Sequence, residues 1–139
     1  MDLTYLLTPL VAWTTAGSLK FFINSIKAKK LAFGLIGYGG LPSNHSAIVA
    51  STTVLIALKE GISHPAFGIA ITLSFIVILD ASSLRTQVGK QASRINRLTN
   101  VSIPDEPKLR ERMGHTPIEI LAGVATGSIV AYIIAAIGL

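Results

Sequence analysis

The sequence predicts an all-α fold: a single integral membrane domain, residues 1–139, forming a polytopic bundle of about four transmembrane helices. Three observations lead there. Half of the residues are apolar and only 14% are charged, against about 25% in a soluble domain. The charges are clustered, which leaves long uncharged stretches between them. Those stretches approach the roughly 20 apolar residues that a helix needs to cross a hydrocarbon core of about 30 Å.

The first span is expected over residues 3–26, interrupted by Lys20. Asp2 stands where a signal peptide would carry its basic region, and no small-residue cleavage site stands out, so this segment reads as a permanent span. The second, residues 43–58, is short, and its start is expected below the headgroups. The third, residues 65–84, contains the dense apolar run 69–79 and then Asp80. The fourth, residues 117–139, is the cleanest. Apolar character all round these segments argues for lipid-facing or buried helices rather than surface ones.

The connections differ in charge. Lys27, Lys29 and Lys30 follow the first span, then a glycine-rich stretch with Gly34, Gly37, Gly39 and Gly40. The 59–64 link is short and its two charges cancel. The 85–116 connection is polar and basic, with Arg85, Lys90, Arg94, Arg97, Lys108, Arg110 and Arg112 against Asp105, Glu106 and Glu111. Its first part, 85–98, holds good helix formers and extends the third helix out of the membrane, and Pro104 and Pro107 mark a turn. Both basic connections fall on one side, which the positive-inside rule makes the cytoplasmic side of a multi-pass cell-membrane protein. The net charge of +5 therefore points to anionic lipid headgroups and phosphorylated lipids rather than nucleic acid. With no cysteine, disulfides, zinc thiolate sites and thiol catalysis are excluded.

Ionisable groups inside apolar spans are costly and usually functional. In this topology Lys20 and Lys27 end the first span, His45 begins the second, Asp80 and Arg85 end the third, and His115 precedes the fourth. All six fall on one face. The 42–47 segment opens a helix with Ser43 or Asn44 as N-cap, and its free N–H groups make an anion-binding end. Gly39 and Gly40 allow close backbone approach there. At the last helix Thr116 fits as N-cap, Pro117 as first helical residue and Glu119 as the returning half of a capping box. His115 then stands just outside a second helix start.

Each feature has a plainer reading. Lys20 and Lys27 snorkel, Asp80 and Arg85 form a structural pair, Glu119 only caps, and His64 is exposed and idle in the opposite loop. Gly123 and Gly127 have the GxxxG spacing of close helix packing. Two histidines at two helix starts, with lysines and an arginine on the same face, favour a phosphate site.

These residues resemble the divergent branch of the type 2 phosphatidic acid phosphatase superfamily, which is related to the vanadium-dependent haloperoxidases. The superfamily's motifs are Lys-x6-Arg-Pro, Pro-Ser-Gly-His and Ser-Arg-x5-His-x3-Asp. This chain has Lys20 and Lys27 at the first spacing, Pro42-Ser43-Asn44-His45 at the second and His115-x3-Glu119 at the third. Arg85, Gly89, Gln91 and Asn96, and the run Gly114-His115-Thr116-Pro117, also look like the divergent branch. The resemblance runs from about residue 16 to the last helix. Lys27 replaces arginine, Ala28 the following proline, Asn44 a glycine or serine, and Glu119 an aspartate. Leu109 stands where the Ser-Arg pair would place its arginine.

The resemblance implies a phosphatase/haloperoxidase-like helical core. It also implies metal-independent, cofactor-free cleavage of a lipid phosphate monoester or pyrophosphate through a phosphohistidine. His115 would be the nucleophile, Glu119 would hold its other ring nitrogen, and His45 would protonate the leaving group. Lys20, Lys27, Ser43, Asn44 and Arg85 would bind the phosphoryl oxygens. Asp80, Arg110 and Arg112 are supporting candidates, with Arg85 preferred as the missing arginine. The chain is shorter than the family's six-span members, so access for a bulky lipid would need another arrangement, such as a homo-oligomer. Two other readings suit the same residues: a non-catalytic lipid-binding protein that keeps the fold, and a transporter of a phosphorylated lipid.

Overall fold

The computed structural model describes residues 3–31, 40–102 and 107–137; Gly34, Gly37 and Gly39 in the first connection, and Pro104, Asp105 and Glu106 in the last, lie outside them. Helix α1 (Thr4–Ala28) runs past Lys20 and stops where Lys29 adopts a left-handed conformation, φ 50°. Helix α2 (Asn44–Lys59) is capped by Ser43, whose hydroxyl oxygen accepts from the Ser46 N–H. Helix α3 (Pro65–Leu79) begins with a proline at its first turn, and His64 is its N-cap. The His64 Nδ1 accepts from the Ala66 N–H at 3.2 Å, so this exposed histidine, expected to be idle, starts a helix. A π-helical turn, Asp80–Leu84, carries α3 into α4 (Arg85–Ser102) without a break, as the helix formers of 85–98 predict. Helix α5 (Pro117–Ile137) completes the bundle.

Among the described residues, three stretches are long and apolar enough to cross a bilayer: Thr4–Ala28, Pro65–Asn100 and Pro117–Ile137. The expected second span is the short one. Its 16 residues rise about 24 Å at 1.5 Å per residue, less than the hydrocarbon thickness of about 30 Å. It packs against α1, α3 and α5, so its backbone is satisfied within the helix and covered by protein.

The burial pattern inverts that of a soluble bundle. Leu6, Phe22, Ile69, Phe75, Leu121 and Ile137 point outward, each more than half exposed. The interior is small and hydroxylated, with Ala12, Ala16, Ala47, Ser46, Ser51 and Thr53 buried. A bilayer favours this arrangement, since lipid is as apolar as leucine and association comes from close backbone packing and interhelical hydrogen bonds. The Thr53 and Ser74 hydroxyls bond at 2.8 Å between α2 and α3. Thr8 and Thr53 also return hydrogen bonds to carbonyls one turn back in their own helices.

The closest approach is α5 on α2. A Cβ at Gly123 would fall 2.9 Å from the Ser46 Cβ, and one at Gly127 would fall 2.9 Å from the Ala47 carbonyl carbon. Both are inside contact distance, so the GxxxG pair serves packing. It sets the start of α5 beside the start of α2. At the other end the Lys59 Nζ donates to the Thr4 Oγ1 at 3.1 Å, and the Tyr5 hydroxyl bonds the Glu60 carboxylate.

Candidate active site

The return segment after α4 is laid along that helix. The Asn96 side chain accepts from the Leu109 N–H and donates to the Leu109 carbonyl and the Glu111 carboxylate, all at 2.8 Å. These bonds hold the exposed Glu111 carboxyl below the usual carboxylate range, with the Asn96 hydrogen bond the leading cause. One helical face lower, Gly89 leaves room for the Glu111 carbonyl and the Met113 N–H. Gly114, at φ +89°, crosses over Thr86, where a side chain would clash. The His115 N–H then donates to the Ala81 carbonyl at 2.9 Å. Positions 96, 89, 86 and 81 thus form one track down α4 and the π turn, and His115 is delivered at its foot.

The π turn explains the end of that track. Its i→i+5 bond runs from the Arg85 N–H to the Asp80 carbonyl, and the widened turn sets a carbonyl free for an outside donor. Asp80 and Arg85 come to the same side, with Arg85 Nε 3.1 Å from Asp80 Oδ2. Both side chains are more than a third exposed, so the pair adds little stability. What it does is aim the guanidinium.

At the start of α5 the expected capping box forms. The Glu119 N–H donates to Thr116 Oγ1 at 3.3 Å, and Glu119 Oε2 accepts from the Thr116 N–H at 3.0 Å. The same oxygen lies 3.1 Å from His115 Nδ1. The capping and histidine-holding readings of Glu119 are therefore both satisfied by one carboxylate. The His115 and Glu119 side chains are 7% and 16% exposed. With Nδ1 engaged, His115 presents Nε2. Burial keeps its imidazole below the ordinary range; Glu119 opposes this, while Lys20 and Arg85 reinforce it.

His45, in the first turn of α2, faces His115 with ring centroids 5.9 Å apart and planes tilted by 59°. The charges of Arg85, Lys20 and Asp80 act on its ring, so four helices contribute to one cluster. The His45 Nδ1 and the Asn44 Oδ1 are buried and have no hydrogen-bond partner among the described residues. The Ser43 N–H donates to the Glu119 carbonyl at 2.9 Å, which ties the α2 start directly to the α5 start.

The cluster brings together Lys20, His45, Asp80, Arg85, His115 and Glu119; Asn44 stands beside His45 at the α2 start, with its Nδ2 toward Gly17 of α1. Other candidates fall elsewhere. Ser43 is fully buried and its hydroxyl oxygen accepts from the Ser46 N–H and the Ser46 hydroxyl, so in this structure it shapes the helix start. Lys27 is exposed in the last turn of α1, and among the described residues no polar contact ties it to the histidines. Arg110 and Arg112 are exposed on the return segment, the Arg110 Nε donating to the Arg112 carbonyl at 3.2 Å. Of the three arginines weighed for the missing position, only Arg85 acts on both imidazoles. Nothing in the sequence marks Ala81, Thr86 and Ser46, because they act through backbone or close packing, which leaves no motif.

The profile of the divergent PAP2 family matches residues 1–130 of the chain. The chain is 32% identical to the uncharacterised membrane protein YuiD of Bacillus subtilis (strain 168), over 146 aligned positions covering 94% of this chain and 92% of that protein. No solved structure matches it.

Proposed function

Starting from the chain's membership of the divergent PAP2 family, we propose that it is a metal-independent membrane phosphatase that cleaves a lipid phosphate monoester or pyrophosphate through a phosphohistidine. The observation that supports this most is the buried His115, held at Nδ1 by Glu119 and facing His45 at 5.9 Å. The His115 Nε2 lone pair attacks phosphorus in line, the P–N bond forms and the ester P–O bond breaks. Protonated His45 gives its proton to the leaving oxygen. Neutral His45 then takes a proton from water as that oxygen attacks the phosphohistidine, which releases phosphate and restores His115.

Glu119 fixes the tautomer and supports the imidazolium character that develops at His115. Lys20 and Arg85 neutralise the phosphoryl oxygens, as positioned cations do in phosphoryl transfer. The positive-inside rule supports reading this face as cytoplasmic, with Lys90, Arg94 and Arg97 toward anionic headgroups. The chain thus acts at the cytoplasmic leaflet of the cell membrane.

The test is phosphate release by purified protein from phosphatidic acid, phosphatidylglycerophosphate and prenyl pyrophosphates. Wild type is expected to release phosphate from at least one of them and His115→Ala from none. Full activity in His115→Ala would refute the nucleophile assignment. The rival reading, a non-catalytic lipid-binding protein, draws on the absent Ser-Arg pair and on lysine and asparagine at positions 27 and 44 in place of the superfamily's arginine and glycine. It predicts lipid binding without turnover and no inhibition site for vanadate.

A further inference from the structure

An open apolar groove of about 310 Å³ lies between α1 and α5. Its walls are Val11, Thr15 and Leu19 on one side and Thr126, Ile129 and Ile133 on the other. Val11, Leu19, Ile129 and Ile133 are each at least 40% exposed, and Val130 closes the floor with Ala12 and Ile134 beneath. The groove is not an isolated dent. At about 100° per residue, Glu119, Thr126, Val130 and Ile133 fall within about 60° of one another round α5. Thr126 is two turns, about 10 Å, deeper than Glu119. On the facing helix, Leu19 ends the groove next to Lys20, whose charge acts on both Glu119 and His115.

Along this strip the character therefore changes from cationic and polar to predominantly apolar over about 20 Å, in the direction of the bilayer interior. A molecule that matches it carries a phosphate at one end and a hydrocarbon chain at the other. We propose that the α1–α5 groove seats one hydrocarbon tail of the phosphorylated lipid whose headgroup occupies the histidine cluster, so that Thr126 and its neighbours set selectivity for chain length. This rests on the phosphatase reading for the headgroup end. The groove opens sideways to lipid, so substrate enters from within the leaflet and no aqueous path to the histidines is required. Thr126 already donates its hydroxyl to the Ala122 carbonyl at 2.8 Å, which leaves its methyl to the tail.

The experiment compares wild type, Thr126→Phe and Leu121→Phe, the last placing the same bulk on the opposite, lipid-facing side of α5. Each is assayed on dioleoyl and dihexanoyl phosphatidic acid in mixed micelles. Each is also photolabelled in vesicles with a phosphatidic acid and a phosphatidylcholine that carry a tail diazirine. Wild type is expected to favour the long chain by about tenfold or more in kcat/KM. Thr126→Phe should lose that preference while keeping short-chain turnover, and Leu121→Phe should behave as wild type. Phosphatidic acid label should map to α1 and α5 groove residues, fall in Thr126→Phe, and exceed phosphatidylcholine label there. An unchanged chain-length ratio in Thr126→Phe, or groove label that is equal for both lipids, would overturn the proposal. If no substrate is turned over, the phosphatase reading fails, and the labelling alone decides the groove.

Discussion

At the level of single residues, the account rests on how one carboxylate divides its work. Glu119 Oε2 serves both the Thr116 N–H and His115 Nδ1, and it raises an imidazole that burial, Lys20 and Arg85 lower. Removing its charge leaves only the lowering influences. Glu119→Gln should therefore shift the acidic limb of the kcat/KM profile to lower pH, because His115 stays neutral further down. The plateau should fall as well, since the developing imidazolium loses its support. A limb that moved to higher pH would contradict the assignment. His45→Ala should lower kcat by about 10²–10⁴-fold, with activity toward an activated aryl phosphate less affected because that leaving group needs no proton. Arg85→Ala should cost about 10²–10³-fold in kcat, whereas Arg110→Ala and Arg112→Ala should cost far less. The two histidines were legible in the sequence because each precedes or opens a helix with a recognisable cap. The burial of Ser43 was not legible, because a serine at an N-cap looks the same whether its hydroxyl faces a ligand or another serine.

Among the helices, α4 is the one whose role changed most. Its sequence reads as a basic extension of the third span. In the fold it is also the track that positions His115, through Asn96, Gly89, Thr86 and the Ala81 carbonyl. Gly89 and Asn96 stand out in the sequence only through the family resemblance, since nothing in local pattern tells a tracked glycine from a tolerated one. Asn96→Ala removes three hydrogen bonds to the return segment and should cost about 1–3 kcal/mol locally. Trypsin should then cut faster at Lys108, Arg110 and Arg112, and kcat should fall although the variant lies outside the cluster. Unchanged cleavage would count against the track. On the other side, Gly127→Ala pushes a methyl against the Ala47 carbonyl. The expected cost is about 1–3 kcal/mol, read as a lower thermal midpoint in detergent. The GxxxG spacing announced this contact, but not that the facing surface is the backbone of the short helix α2.

For the molecule as a whole, the sequence made the membrane class plain through clustered charge and long apolar runs. It also anticipated that one expected span would be short. Hydropathy could not show that this short helix is the one packed against α1, α3 and α5, because apolar character reads alike for a lipid-facing and a protein-facing helix. The absence of cysteine gives a clean background for orientation. A cysteine placed at Arg97 should react with an impermeant maleimide only after cells are opened, and one at Ser63 in intact cells; the reverse pattern would turn the site face outward. The claim that unites these scales is that the bundle exists to set His115 against His45 for transfer of a phosphoryl group. It is tested most directly by quenching the purified protein during turnover of radiolabelled phosphatidic acid or prenyl pyrophosphate and locating the label by peptide mapping. The account predicts an acid-labile, base-stable phosphoryl group on His115, absent from His115→Ala. Turnover with no trapped label on His115 in wild type, together with continued phosphate release by His115→Ala, would contradict it.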